Sequence, residues 1–310
     1  MKARVIVNPQ ANKGNCLRRW PEIKAELEKN MGSLSPADVA MTSAPNHASE
    51  LARQAVSSGC ERIVSVGGDG TLNEVLNGLI VDNRPIAPDI VLAQVPGGTS
   101  NELARSFGHL PLADACRAAV STRVRPMDVF RVEARAHSGQ AAMRYGFVLA
   151  IAGAAATISW RAQRVPFLKR LGPLSYVIMT IVTTFTYLPR SYRIAFDDEA
   201  ATSQKLWSVL ACSFDGAGEG LALAPGADSA DGHFDVITVG DVGRWEALTQ
   251  IALRLADGSY LSNPKTTRRK ASRLTIDADH FVLADVDGEN LGKLPMRIEM
   301  LPFRISVAVL

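Results

Sequence analysis

The sequence predicts an α/β N-terminal domain with a parallel-rich sheet, joined to a β-rich, mostly antiparallel C-terminal domain. Length is the first observation: 310 residues exceed what one hydrophobic core usually sustains, so two domains are expected. The second is the alternation of strand-like and helix-like segments through the front half, the pattern of βαβ units. The third is a change of character near Val129, after which strand-like segments follow one another through loops.

In the front half, strands are expected at Arg4–Val7, Val39–Met41, Ile63–Val66 and Ile90–Gln94, and helices at Leu17–Lys29, Ala48–Ser57 and Leu72–Leu79. The strands are nearly continuous apolar, β-branched runs, as a sheet covered by helices on both faces requires. The first domain is set at 1–128, with about 301–310 returning to it, and the second at 129–300. Strands of the second are expected at Val129–Glu133, Arg144–Ala150, Arg193–Phe196, Trp207–Cys212, Val236–Gly240, Leu274–Asp277, Phe281–Asp285, Arg297–Met300 and Arg304–Val309. Helices at Leu174–Leu188 and Arg244–Leu255 interrupt them. The first of these is the longest apolar run and falls short of the roughly 20 residues that span a bilayer.

Composition narrows the function classes. Hydrophobic residues make 47% and charged residues 21% of the chain, ordinary globular usage that excludes a disordered or fibrous protein. A net charge of +3 is too mild for a nucleic-acid binder. Cys16, Cys60, Cys116 and Cys212 lack the short spacing of a zinc or redox motif and are expected as reduced thiols. The start Met-Lys-Ala-Arg-Val-Ile-Val runs into a strand without a secretory signal, so a cytoplasmic location is expected.

Chemistry concentrates in glycine-bearing loops. Gly67-Gly68-Asp69-Gly70-Thr71, with Glu74 beyond, follows a buried-type strand and precedes a helix. Glycines there let backbone amides gather on phosphate at a helix N-terminus. Asp69 adds a carboxylate that makes sense if a nucleotide's Mg²⁺ is handled directly or through water. The bland alternative is a tight turn with Asp69 or Thr71 capping the helix. Pro96-Gly97-Gly98-Thr99-Ser100-Asn101-Glu102 repeats the layout, and Asn8 to Gly14, with Lys13, makes a third polar loop at the same predicted sheet edge. Ligands of open α/β sheets bind at the carboxyl ends of the strands, where all three loops are expected.

Gly67-Gly68-Asp69-Gly70-Thr71 with Glu74, and Pro96-Gly97-Gly98-Thr99 with Asn101, resemble the catalytic family of diacylglycerol kinases, which includes bacterial soluble lipid kinases, sphingosine kinases and ceramide kinases. The similarity continues in Leu171-Gly172-Pro173-Leu174-Ser175-Tyr176, in Ala224-Pro225, in Asp231-Gly232-His233-Phe234-Asp235 and in Asp287-Gly288-Glu289. The resemblance implies a Rossmann-like nucleotide-binding domain and a C-terminal sandwich of the NAD-kinase and lipid-kinase type. It implies transfer of the γ-phosphate of ATP to a lipid hydroxyl in a cleft between the domains. Asp287 would be the general base, with Glu289 and Asp69 in a water-linked magnesium network that Asp128 joins. The nucleotide contacts it implies are Asn8, Thr42, Gly67, Gly68, Thr71, Gly98 and Thr99, with Glu74 and Glu102 nearby. Asp231 would hold a second, structural Mg²⁺, helped by carbonyls near Asp228 and His233. Asp287-Gly288 is also a strong hairpin-turn signal, and the turn can present the acid.

Two departures stand out: Ala11-Asn12 where the family usually has Ser-Gly, and Glu102 where it has Asp. Rival functions are a soluble-metabolite kinase of the NAD kinase type and a catalytically inactive lipid-binding regulatory protein. Peripheral membrane contact is expected from Arg161, Arg164, Lys169 and Arg170 interleaved with Trp160, Val165, Phe167 and Leu168, reinforced by Arg268, Arg269, Lys270 and Arg273. The acceptor lipid, and whether a homodimer forms, stay open at this point.

Overall fold

The structure is a computed structural model that describes residues 2–109, 111–164, 174–217 and 220–310. The chain separates into two compact units, Met1–Val129 with Leu301–Leu310, and Phe130–Met300.

Unit 1 runs β1 (Ala3–Val7), α1 (Asn15–Met31), β2 (Val39–Met41), α2 (His47–Ser57), β3 (Arg62–Gly67), α3 (Asp69–Gly78), the hairpin strands β4 (Ile80–Val81) and β5 (Arg84–Pro85), β6 (Val91–Pro96), α4 (Glu102–Ser106) and α5 (Leu112–Val120). Strands β2, β1, β3 and β6 lie in that order, all parallel. Every residue of β3 is buried, which is why its sequence is apolar without alternation. One face of the sheet packs α1 and α5 through Val5, Val64, Ala93, Cys16, Ile23, Leu27 and Cys116. The four cysteines are buried and unpaired.

Unit 2 begins within β7 (Val124–Arg135) and continues through β8 (Ala141–Gly146), β9 (Leu149–Gly153), α6 (Ala154–Arg164), α7 (Leu174–Thr186), β10 (Arg190–Phe196), β11 (Thr202–Leu206), β12 (Ser208–Cys212), β13 (Phe234–Val239), β14 (Thr266–Ala271), β15 (Arg273–Asp277), β16 (Leu283–Val286) and β17 (Glu289–Ala308). Antiparallel pairing orders β14, β13, β12, β9, β16 and β17. A second set joins β11, β10, β15 and β17, also antiparallel. Alternate residues of both sets, such as Ala150 and Ala152, Tyr192 and Ile194, Val209 and Ala211, Leu274 and Ile276, share one core. That is the period of two expected when each sheet turns one face inward.

Several elements differ from the sequence expectation. The strands expected at Arg297–Met300 and Arg304–Val309 are parts of the single 20-residue β17. Pro302 suggests a break, but it falls where the strand exchanges partners, after antiparallel pairing with β15 ends at Glu299 and before parallel pairing with β6 at Ser306. Strand β14 escapes notice because its outward residues are charged and exposed. The helix expected at Arg244–Leu255 is one turn of α-helix, a wide π-helical turn over Ala247–Ile251 and a 3-10 turn. No helix among the described residues is long and apolar enough to cross a membrane.

Candidate functional site

In unit 1 the three polar loops leave the ends of neighbouring parallel strands β1, β3 and β6. They are bonded to one another. Gly97 N–H donates to Gly67 O at 3.0 Å, and Asn8 N–H donates to Val66 O at 2.9 Å. The Asn8 side-chain amide donates to Thr71 Oγ1 at 2.9 Å. The glycine loops touch so closely that a Cβ on Gly98 would stand 2.2 Å from Gly68 Cα, and one on Gly97 3.2 Å from Gly67 Cα. Glycine is required here for contact between loops as much as for approach to a ligand.

Asp69, at the first turn of α3, binds the second loop across this contact. Its Oδ1 accepts the Glu102 N–H at 2.8 Å and the Gln94 amide at 3.4 Å. Gln94 Oε1 in turn accepts the Ala104 N–H at 2.9 Å. Burial pushes the Asp69 carboxyl above its ordinary range, opposed by the Gln94 and backbone hydrogen bonds; a nearby divalent cation would favour the ionised form. Asp69 is thus a carboxylate that a nucleotide's magnesium ion could use, and it does not cap α3, which has no side-chain cap. Asn101 closes the second loop on itself, accepting Gly98 N–H at 3.1 Å and donating to Gly98 O at 3.0 Å.

The remaining expected contacts of unit 1 are dispersed by comparison. Thr42 is buried at the end of β2, its N–H on Val7 O. Thr99 and Lys13 are exposed, Lys13 with φ of 57°. Glu74 accepts the Ala48 N–H at 3.3 Å and so serves the N-terminus of α2. Gly70 lies in the first turn of α3, and Glu102 is buried at the start of α4. Asp128 is buried and pairs with Arg304 Nε at 2.7 Å, on the returning C-terminal strand.

In unit 2, Asp287 and Gly288 form the two-residue turn between β16 and β17, with φ of 49° and 82°. Left-handed values at both positions are those of a type I′ hairpin turn, which Asp-Gly favours. The Asp287 carboxylate accepts three backbone N–H groups, from Phe147 at 3.0 Å and from Val148 and Leu149 at 2.9 Å each. Three such donors fix the position and orientation of the carboxylate. Glu289 is exposed at the start of β17.

Sequence reasoning missed Gln94, Asp285 and Ser159. Asp285 is fully buried, accepting Ser159 Oγ at 2.8 Å and Gly288 N–H at 2.9 Å. Burial pushes its carboxyl from 3.8 up to about 7, with the Glu289 and Asp287 charges adding to the rise. Between pH about 4 and 7 the unfolded chain has released this proton and the folded chain keeps it, so stability falls as pH rises through that window. Denaturant titrations at pH 5 and pH 8 are expected to show a larger loss in the wild type than in Asp285→Asn; equal losses would contradict this assignment.

The Asp231 loop holds an ion pair. Lys270 Nζ contacts Asp231 Oδ2, while Asp231 Oδ1 accepts the His233 N–H at 2.9 Å and Asp228 accepts the Ala230 N–H at 3.0 Å. Among the described residues no three His, Cys, Asp or Glu side chains gather as a metal-ligating group. A structural magnesium ion at Asp231 would take the place of Lys270 as partner of this carboxylate. Melting of the nucleotide-free protein in EDTA and in millimolar Mg²⁺ separates the two: a difference under about 2 °C is the outcome expected of the ion pair alone. Several degrees of stabilisation by Mg²⁺ would refute the ion-pair account.

The basic groups are also largely engaged. Arg268, Arg269, Lys270 and Arg273 pair with Asp235, Glu199, Asp231 and Asp198 respectively, so that cluster presents little net positive potential to an anionic surface. Arg161 donates to Thr183 and Thr186 of α7, and Arg164 lies over the Trp160 ring. Val165, Phe167, Leu168, Lys169 and Arg170 lie outside the described residues, as do Leu171 to Pro173.

Comparison with known proteins places both units in one family. The diacylglycerol kinase catalytic domain matches residues 2–132, and the YegS C-terminal NAD kinase beta sandwich-like domain matches residues 148–309. The chain is 30% identical to a Staphylococcus haemolyticus diacylglycerol kinase over 98% of its own length and 87% of that relative. A Bacillus anthracis crystal structure assigned to the diacylglycerol kinases superposes with a TM-score of 0.77 at 22% identity, covering 100% of this chain and 95% of the other. Yeast NADH kinase complexed with NADH shares the fold at a TM-score of 0.51 and 10% identity, over 100% of this chain and 84% of its own. The chain belongs to the diacylglycerol kinase family. That makes it a kinase, a phosphotransferase with an alcohol group as acceptor.

Proposed function

We propose that this protein transfers the γ-phosphoryl group of ATP to the hydroxyl of a diacylglycerol-like lipid at a membrane surface, with Asp287 as general base. The reading rests chiefly on the paired glycine loops at adjacent parallel strand ends, cross-braced by Asp69 and Gln94, in a chain whose relatives are named diacylglycerol kinases. Bound ATP and its magnesium ion supply the phosphoryl group and neutralise its charge. The amides of Gly68 and Gly70 hold the phosphates, Asp69 faces the magnesium through water, and Asp287 takes the proton of the attacking hydroxyl. Phosphoryl transfer asks mainly for positioning and charge neutralisation, so a carboxylate held in place by three N–H donors suits the role. The reading requires Asp287 and the glycine loops to face the same bound substrate pair.

Contact with the membrane is assigned to α7 and the 244–254 stretch. Val177 and Ile181 are exposed one turn apart on α7, Leu188, Trp245 and Leu253 are exposed beyond it, and Phe185 packs edge-on to Trp245 at 5.3 Å. Apolar side chains so placed suit insertion at a headgroup boundary.

A panel of detergent-dispersed lipids and soluble acceptors with labelled ATP tests the function. Labelled product is expected with diacylglycerol or a related lipid. Product with NAD alone would establish the metabolite-kinase rival, which the shared fold with NADH kinase motivates, and nucleotide binding without product on any acceptor would establish an inactive lipid-binding protein.

A further inference from the structure

The turn that carries Asp287 is held from a helix about 125 positions earlier in the chain. Ser159 and Gln163 lie one turn apart on α6. Ser159 Oγ donates to Asp285 Oδ2 at 2.8 Å, and Asp285 Oδ1 accepts the Gly288 N–H at 2.9 Å. Gln163 Nε2 donates to Gly288 O at 2.5 Å and to Ser159 Oγ at 3.2 Å. These bonds close a ring that engages both the N–H and the carbonyl of Gly288. Meanwhile the segment that leads into α6 holds Asp287 itself: Leu149 O accepts the Asp287 N–H at 2.9 Å, and the amides of residues 147–149 hold the carboxylate.

A hairpin with an Asp-Gly turn needs no such support to form. A carboxyl with 0% exposure is costly compared with an apolar residue of similar size. Its burial pushes the group towards the neutral form, consistent with a side chain kept for its hydrogen bonds and not for its charge. Residues that break the apolar pattern at a cost are expected beside functional groups.

We propose that Ser159, Gln163 and Asp285 form a positioning clasp that fixes the Asp287–Gly288 turn, and with it the direction of the Asp287 carboxylate, for proton transfer. This rests on the assignment of Asp287 as the base. None of the three touches substrate; they act through the turn. Small displacements of a positioned group are enough to slow chemistry by one to two orders of magnitude, whereas nucleotide and lipid binding do not depend on the aim of the base.

The test uses the full chain with ATP and the best lipid of the panel, measuring kcat, both KM values and Tm for Gln163→Ala, Ser159→Ala and Ser159→Thr. Gln163→Ala and Ser159→Ala are expected to lose about tenfold in kcat, with KM for lipid and for ATP within about twofold of wild type, and Ser159→Thr is expected to regain most of the loss. Gln163 is only half-buried, so its variant carries the test even if Ser159→Ala does not fold. Unchanged kcat in folded Gln163→Ala would overturn the clasp while leaving the kinase reading intact, as would a loss that appears in KM or only in proportion to unfolded protein. A wild-type chain that turns over no acceptor would overturn both, a result distinct from either.

Discussion

Asp287→Asn is expected to lower kcat by about 10²- to 10⁴-fold, the usual contribution of a positioned general base, while ATP affinity stays within about threefold and the melting temperature falls by only a few degrees, from the lost Phe147 hydrogen bond. The fold should accept the change because Asn-Gly, like Asp-Gly, favours a type I′ turn, and Asn tolerates the φ of 49° found there. An amide oxygen at the Oδ1 position can still accept the Val148 and Leu149 N–H groups. What is lost is the charged acceptor, and the NH₂ group faces the Phe147 N–H in place of Oδ2. Steady-state turnover with saturating lipid, set beside calorimetric ATP binding, checks this. Turnover close to wild type would mean that the proton leaves by another route and that Asp287 is a structural anchor for residues 147–149.

Gly98→Ala is expected to weaken ATP binding by more than about a hundredfold and to lower stability by about 1–3 kcal/mol, the usual cost of forcing an extra methyl into a packed site. The added Cβ would lie 2.2 Å from Gly68 Cα and 2.8 Å from Gly68 N. Both are backbone atoms on the neighbouring loop, so relief requires parting the two loops and lengthening the Gly97–Gly67 hydrogen bond of 3.0 Å. Gly243→Ala is the matched control, since a Cβ there meets nothing within 4 Å and its φ of −73° is ordinary. Calorimetry with ATP and a denaturant titration on both variants measure the contrast. A Gly98→Ala protein that binds ATP as the wild type does would show that the contact between loops is not needed to hold the nucleotide.

Much of this fold is legible in the chain because the relevant signals are local. Apolar runs at Arg4–Val7 and Ile63–Val66 mark buried parallel strands, and the glycine pairs that follow the strands mark loops that leave the sheet edge. Asp287-Gly288 specifies its hairpin from two residues, through their tolerance of positive φ. Elements with a charged outer face or interrupted by proline, such as β14 and β17, are less visible, because pairing with neighbours overrides propensity there. The basic group 268–273 looks like a surface for anions in one dimension and becomes a row of ion pairs once Glu199, Asp231 and Asp235 are set beside it.

The kind of turn at Asp287-Gly288, and which carboxylates follow the strands, can be read from the chain alone, since they depend on φ preferences and residue order within a few positions. What each carboxylate meets follows from long-range packing, as does the need for glycine where the two loops touch: Asp69 the amide of Glu102, Asp287 the amides of residues 147–149, Asp285 the hydroxyl of Ser159. Those partners come from segments far apart in the chain. No local pattern encodes them, because a buried polar group is satisfied by whichever donor the packing of distant strands and helices brings within hydrogen-bond reach.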